Sequence, residues 1–379
     1  MENIKIMIAD NGTTTLATSG KYCDRNIDVE VNVAGGGGEG IPEEAYTITG
    51  NCSYKFANDS WKWFLDAYWD KLKFVDISDM SYMFNNVSRE QIKIDIGVKN
   101  CSSISSLFNN ASKLKEMDIK INGSMSGTGM VGLFNGCYRL KKVSNIFENF
   151  DMSYMNTNTS GQQQNWFYNC YSLREIDDNF WDNVIISRTA SYGHLYSYLY
   201  YYCCCLDKAI VPITESKTST SNCFDGTFNY ATRVKDILFQ TNPDGSVKTV
   251  NWKSQTINLH NNYVGYMYES SDRKQYILDY NSGITADKEV TNDATYQALK
   301  NDPDWFTVDY KYSRYNHDSA VNTINSLPDT SAYLAANGGT NTIKFTGGAG
   351  ALTDGGAINT LTEEEIAVAT AKGWTVTFA

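Results

Sequence analysis

The sequence predicts an α/β repeat fold: a solenoid of short parallel strands with helical caps, preceded by a small all-β N-terminal unit. Three observations carry this. One ten-residue phrase recurs six times, with a period of the size that marks stacked repeats. Helix signals gather at the two ends of that array. Within the first 34 residues, Ile4–Ile8 and Ile27–Val33 alternate apolar and polar with period two, and four glycines follow.

The clearest copy of the phrase is Phe134-Asn135-Gly136-Cys137-Tyr138-Arg139-Leu140-Lys141-Lys142-Val143. It returns as Phe167 to Ile176 and as Tyr200 to Ala209, so the leading aromatics step by a constant 33 residues. Weaker copies open at Phe84, Phe108 and Phe228. The template is aromatic, two residues, Cys or small, two residues, Leu, two residues, aliphatic. Its length hardly varies, whereas the steps between leading aromatics run 24, 26, 33, 33 and 28. The variation therefore falls in the Ser-, Asn- and Gly-rich connectors. The two longest, 144–165 and 177–198, are expected to protrude on one side, where insertions gather at binding surfaces.

Composition narrows the function. The formal net charge is −11 and the sequence pI about 4.8, against the basic field that phosphate binding needs, so no nucleic-acid partner is expected. The 26 tyrosines beside only 20% charged residues describe a polar-neutral, aromatic surface, although Tyr is also a good strand former. Most of the nine cysteines fall in the phrase. Cys137, Cys170 and Cys203 each stand three residues after an aromatic and three before Leu, the place of a small, buried, reduced residue. Cys203, Cys204 and Cys205 are adjacent and cannot converge on one metal. No Cys pair with a matching His spacing reads as a zinc site, so no metal or cofactor is expected.

Taken in order, residues 1–34 read as a small β attachment domain. Ile4, Ile6 and Ile8 alternate, Asn11-Gly12 marks a hairpin turn, and Ile27–Val33 alternates strictly. Residues 35–42 are a Gly-rich linker through Gly35–Gly38. The N-terminus has no signal-peptide pattern, and no apolar run reaches spanning length, so no membrane insertion is expected. Residues 43–75 read as an N-terminal cap, with a strand at Tyr46–Thr49 and a helix capped by Ser60 that aligns Trp61, Phe64, Leu65, Tyr68 and Leu72. Residues 76–239 are the array, with strands such as Met117–Ile121.

Residues 240–316 are the least regular and read as degenerate repeats or an inserted lobe. They hold a turn at Asn242–Gly245, strands at 263–268 and 276–280, and a short helix after Thr291. Residues 317–379 close the chain with two helix–strand units. Asp318 caps the first helix, which Pro328 stops before a strand at Thr342–Phe345. Thr362 and Glu365 form a capping box, Leu361 and Ile366 its hydrophobic staple, and Gly373 a C′ residue before the strand Trp374–Phe378.

The run Asp76-Ile77-Ser78-Asp79-Met80-Ser81-Tyr82-Met83-Phe84 resembles the opening of BspA-type leucine-rich repeats, which continues through Cys and Leu as at Cys137/Leu140 and Cys170/Leu173. The ending Leu361 to Val376 is similar to that of this family's phage and gut-bacterial proteins. The resemblance covers roughly residues 46 to 379, with departures at Tyr200, Ala111 and an extra residue before Ile94. It implies a leucine-rich-repeat-like solenoid and a non-enzymatic binding role.

No residue set reads as an active site. His194, His260 and His317 lie far apart in sequence, and Gly347–Gly350 lacks the Lys-Ser/Thr ending of a phosphate loop. A carboxylate pair assembled only in space stays open, and with it a polysaccharide depolymerase. The reading is a bacteriophage tail fibre or receptor-binding protein, located in the virion. It would join other tail or particle proteins through residues 1–34 and present its repeats to a host surface glycan or protein. A bacterial cell-surface adhesin and a head-fibre or decoration protein are the alternatives, and a homo-oligomer stays open. The candidate ligand-binding residues lie in or beside the longer connectors: Trp181, Tyr192, Tyr196 and Tyr198.

Overall fold

The computed structural model describes residues 6–10, 13–17, 29–30, 46–59, 69–154, 164–184, 195–203, 206–213, 218–219, 222–229, 231, 234–259, 315–345 and 361–378. Within them the fold is mixed α/β, with parallel strands in several small sheets, few helices and no closed barrel.

β1 (Ile6–Asp10) and β2 (Thr13–Ala17) pair antiparallel with Asp10 opposite Thr13, the register that a two-residue Asn-Gly connection sets. Asn11, Gly12 and the four glycines at 35–38 lie outside the described residues. Within the predicted strand Ile27–Val33, β3 (Val29–Glu30) does not join this hairpin. It lies antiparallel on β4 (Tyr46–Asn51), with Val29 opposite Ile48. Val29 and Glu30, assigned by the sequence to the N-terminal unit, thus form the edge of the repeat body's sheet.

From β4 onward neighbours run parallel. β5 (Leu72–Asp79), β6 (Gln91–Ser103) and β7 (Glu116–Gly129) follow one another across the sheet. Past β8 (Lys142–Val143), β9 (Asn149–Asp151) completes that sheet beside β7. β10 (Glu175–Ile176) pairs with β8. β11 (Lys208–Val211) and β12 (Thr218–Ser219) pair with β13 (Asp236–Phe239) and β14 (Asn251–Trp252) respectively.

Two strands are longer than expected, because the small-residue connectors pair as well. β6 has 13 residues and β7 has 14, and after shifts of register Cys101 faces Met125 and Ser103 faces Gly129. Glycine makes this approach feasible: a Cβ at Gly123 would stand 2.0 Å from the Val98 carbonyl oxygen.

The phrase folds as a turn whose copies stack. Its leading rings form one column, Phe56–Phe84–Phe108–Phe134–Phe167–Tyr200–Phe228, with consecutive centroids 5.4–6.1 Å apart and planes within 17°. Phe134, Cys137, Leu140 and Val143 are all fully buried, as the template predicts. The turn's amides are satisfied by the following copy: those of Tyr82, Phe84 and Asn86 donate to the carbonyls of Ser105, Leu107 and Asn109 at 3.0, 2.9 and 2.8 Å. Residues two before and two after the aromatic take left-handed φ, as in Ser106/Asn110, Gly132/Gly136 and Asn165/Asn169. The Asn- and Gly-rich composition there follows, since these residues tolerate that region.

The buried cysteines have a physical role. The thiols of Cys137, Cys170 and Cys203 donate to the carbonyl oxygens of Phe108, Phe134 and Phe167 in the preceding copy, at 3.1, 3.2 and 3.2 Å. Where the phrase departs to Tyr200, the ring keeps its place in the column and its hydroxyl donates to the Ile210 carbonyl.

β15 (Thr256–Leu259), β16 (Asn341–Phe345) and β17 (Trp374–Phe378) form a final parallel sheet. The turn at Asn242–Gly245 is present, with Gly245 N–H on the Asn242 carbonyl at 2.8 Å. α1 (His317–Ser326) is capped by Asn316 rather than Asp318. The Asn316 side chain accepts from Ser319 N–H, while Asp318 sits in the first turn, where the dipole favours its charge. α2 (Ser331–Asn337) was not expected, since seven residues give too short a period to read. α3 (Glu363–Ala371) carries the predicted Thr362/Glu365 capping box, and Gly373 follows at φ +83°. Residues 60–68 of the predicted cap helix, the strands at 263–268 and 276–280 and the helix after Thr291 lie outside the described residues; Leu72, expected on that helix's face, instead opens β5 after a 3₁₀ turn at Trp69–Lys71, because pairing with β4 claims its backbone.

Candidate binding surface

The polar side of the stacked turns follows from the same register that builds the core. With the apolar positions pointing inward, the residue just after the leading aromatic lines up from copy to copy as Asn85, Asn109, Asn135, Tyr168, Tyr201 and Asn229. Like meets like at two places along this row. Asn109 Nδ2 donates to Asn85 Oδ1 at 2.7 Å, and the ring of Tyr168 stacks on that of Tyr201 at 4.7 Å with planes 1° apart. Four residues after the aromatic, Tyr138 stacks on Tyr171 at 5.3 Å.

Two further tyrosines link these pairs. Tyr202 stands edge-on to Tyr201 at 4.6 Å and 87°, and reaches Tyr171 at 5.8 Å and 67°. Tyr198 lies across the other pair, 5.4 Å from Tyr201 and 6.0 Å from Tyr168, at 74° to both. The result is one connected set of six half-buried tyrosines on three successive copies of the phrase. The charge of Asp225, and then partial burial, push the Tyr198 phenol's pKa up, so it stays neutral. A smaller pair, Tyr54 on Tyr82 at 4.5 Å, occupies the N-terminal copies.

The four residues chosen from the sequence fare differently. Tyr198 belongs to the tyrosine set. Trp181 does not reach a surface: it is buried, stacked on Trp166 at 5.3 Å, because a short 3₁₀ turn at Asp178–Trp181 swings it and Phe180 into the core. Tyr196 is likewise a core residue, stacked on Phe224 at 5.0 Å and four positions before the leading aromatic, where the phrase points inward. Tyr192 lies outside the described residues. Sequence reasoning missed Tyr138, Tyr168, Tyr171, Tyr201 and Tyr202 by looking to the connectors. The signal was there, in tyrosines that recur at one phrase position in adjacent copies.

Elsewhere the chemistry is quiet. Of the six described cysteines, Cys52, Cys101, Cys137, Cys170 and Cys223 are free and buried, and Cys203 is buried. Burial raises the thiols of Cys52 to about 11 and Cys101 to about 12, and those of Cys137 and Cys170 further, so none of these four is a ready nucleophile. His317 Nε2 lies 3.2 Å from Glu365 Oε2, tying α1 to α3. Among the described residues, no group of three or more His, Cys, Asp or Glu is placed to hold a metal ion. Nor, among them, is any helix long and apolar enough to cross a membrane. Compared with known proteins, the chain matches no family model, no curated protein and no solved structure.

Proposed function

We propose that this chain is a repeat-built binding protein: a receptor-binding or tail-fibre component of a bacteriophage particle that presents its repeat surface to a host cell. The observation that carries the binding role is the connected set of six tyrosines on the polar side of a turn whose other side is wholly core. Tyrosine offers a large, rigid, amphipathic contact area at low entropic cost, and Tyr is enriched where proteins meet partners. The phrase fixes the spacing of that surface through a continuous ring column and backbone bonds from copy to copy. That continuity, with parallel strands pairing from one copy to the next, supports reading the body as one leucine-rich-repeat-like solenoid of the BspA type.

In this reading the N-terminal hairpin joins other particle proteins, and the virion is where the protein works. No catalytic step, cofactor or nucleic acid enters the proposal.

The test compares the full chain with one lacking residues 1–28, a cut that leaves β3 on β4. Both are expected to bind a panel of bacterial cells equally, and only the full chain to join phage particles. Loss of cell binding with particle attachment intact would reverse the assignment of ends.

A further inference from the structure

The two residues that follow the phrase's Leu line up into two rows of charge, and the rows are built on opposite plans. We infer, resting on the binding role proposed above, that the row Lys115–Lys141–Arg174 is an anion-binding strip for a linear acidic polysaccharide, held by its carboxylates or phosphates.

The second residue after Leu reads Glu116, Lys142, Glu175, Lys208 and Asp236 in successive copies. Signs alternate, and the charges neutralise one another. Lys142 Nζ lies 2.5 Å from Glu175 Oε1 and 3.0 Å from Asp177 Oδ1, and Lys208 pairs with Asp178. Opposite charges across adjacent strands stabilise the stack, so this row serves the fold.

The other row is traced by backbone bonds. The amides of Lys115, Lys141, Arg174, Asp207 and Lys235 donate to the carbonyls of Glu90, Lys115, Lys141, Arg174 and Asp207, at 2.8, 3.1, 2.9, 3.3 and 2.8 Å. Its three consecutive cations repel one another side by side, a cost that alternation would have removed. Lys141 is exposed, and Lys115 and Arg174 are partly exposed, so the core does not demand them.

The carboxylate that reaches these cations is Glu90. Its Oε2 accepts from Lys115 Nζ at 2.8 Å, and its Oε1 lies 3.8 Å from Arg139 Nη1. The Lys115 hydrogen bond first, then the charges of Lys115, Arg139 and Lys113, hold the Glu90 carboxyl below its ordinary range. Lys141 and Arg174 make no side-chain hydrogen bond or ion pair with any described residue, and Arg174 Nε is buried without a partner. A buried charged donor left unmatched calls for a counter-charge. The guanidinium fork suits a carboxylate or phosphate, each of which it can take through two bonds.

Shape narrows the anion to a polymer. The cations recur once per copy, at the ~4.8 Å separation of neighbouring strands. A chain that repeats its own anion meets several together, and weak contacts then add through effective concentration. Glu90 and Asp207 close the row at its two ends, which limits it to three copies. So short a strip, on a chain of net charge −11, does not supply the field that a nucleic acid needs. A glycan with sparser charge meets less repulsion from the rest of the surface.

The test separates the strip from overall charge. Lys141→Gln with Arg174→Gln removes two charges from the strip, and Lys99→Gln with Lys120→Gln removes two from exposed strand positions outside it. The full chain and both variants are measured on immobilised polygalacturonate, a glycerol-phosphate polymer, dextran, polyglutamate and single-stranded DNA, over a range of salt, and on bacterial cells. Thermal melting checks folding, and single Lys141→Gln replaces the strip variant if that unfolds.

The expected result is salt-sensitive binding to polygalacturonate or to the glycerol-phosphate polymer, the two arms telling carboxylate from phosphate. Binding should drop about tenfold or more in the strip variant and stay unchanged in the control. Equal losses in the two variants overturn the site. Binding to dextran as tight as to the acidic polymers overturns the role of charge. Binding to polyglutamate or DNA as tight as to either acidic glycan overturns the ligand class. Cells bound while both acidic glycans are ignored overturn the strip and leave the binding role standing. Absence of binding to every cell and polymer removes the binding role itself.

Discussion

The stacked turns of residues 54–229 and the closing unit of residues 315–378 hold themselves together by opposite means. In the turns each position meets its own counterpart: Phe on Phe, Asn on Asn, Tyr on Tyr. In the closing unit the contacts that fix α1, α3 and β17 join unlike groups and occur once each. Trp374 Nε1 donates to the Pro328 carbonyl at 2.9 Å, Thr362 and Glu365 cap one another, and His317 bridges to Glu365. A self-matching column spreads the effect of any change to the copies on both sides. A set of unique contacts confines it to one partner. Surfaces follow the same division, since only the self-matching region can line up six tyrosines.

The largest expected effect is in the column. Phe134 is fully buried between Phe108 at 5.6 Å and Phe167 at 5.4 Å. Phe134→Ala should destabilise by about 3–5 kcal/mol in urea unfolding, and hydrogen exchange should rise in both adjoining copies. Exchange that rises in one copy alone would break the contrast.

Next comes a change confined to the closing unit. Gly373 has φ +83°, and a Cβ there would stand 2.6 Å from Thr330 Oγ1 and 2.9 Å from Leu334 Cδ1. Gly373→Ala should cost about 1–3 kcal/mol, with new exchange limited to the end of α3 and to α2. Loosening of the tyrosine-bearing copies would show that the two regions are one cooperative unit.

The smallest effect depends on pH. Partial burial works against the charged form of His317, and the Glu365 and Asp318 carboxylates outweigh it, holding its pKa above the ordinary 6.5. Its contribution is therefore full below about 6.5 and lost as pH rises through the higher folded value. The Glu365 carboxyl is held below its ordinary 4.5, first by the Thr362 backbone N–H and further by His317, so its contribution is lost as pH falls through that lower value. The melting temperature should thus fall slightly between pH 6 and 8, and His317→Gln should remove that slope. A slope unchanged in the variant would place the titration elsewhere.

Much of this architecture was legible. The phrase announced its inward positions, because Phe134, Cys137, Leu140 and Val143 recur at fixed offsets and only a shared interior demands that. The capping box at Thr362/Glu365 and the Asn-Gly hairpin register were legible because their partners lie within a few residues. The Asn316 cap was misread as Asp318 because both residue types favour helix starts and only the backbone angle, φ −121° at Asn316, separates them. Trp181 and Tyr196 were read as surface groups because long connectors suggest exposure, and composition cannot say which way a short turn swings its side chains.

The sequence by itself determined the repeat, its core face and its closing caps, since each is written in local spacing or in identity between copies. Only the tertiary structure decided that β3 joins the body rather than the hairpin, that the thiols donate to the preceding copy's carbonyls, and that tyrosines scattered from 138 to 202 form one surface. Those facts depend on which residues of different copies come to lie side by side. That distance is set by packing across 24 to 36 residues of chain, beyond the reach of any local rule.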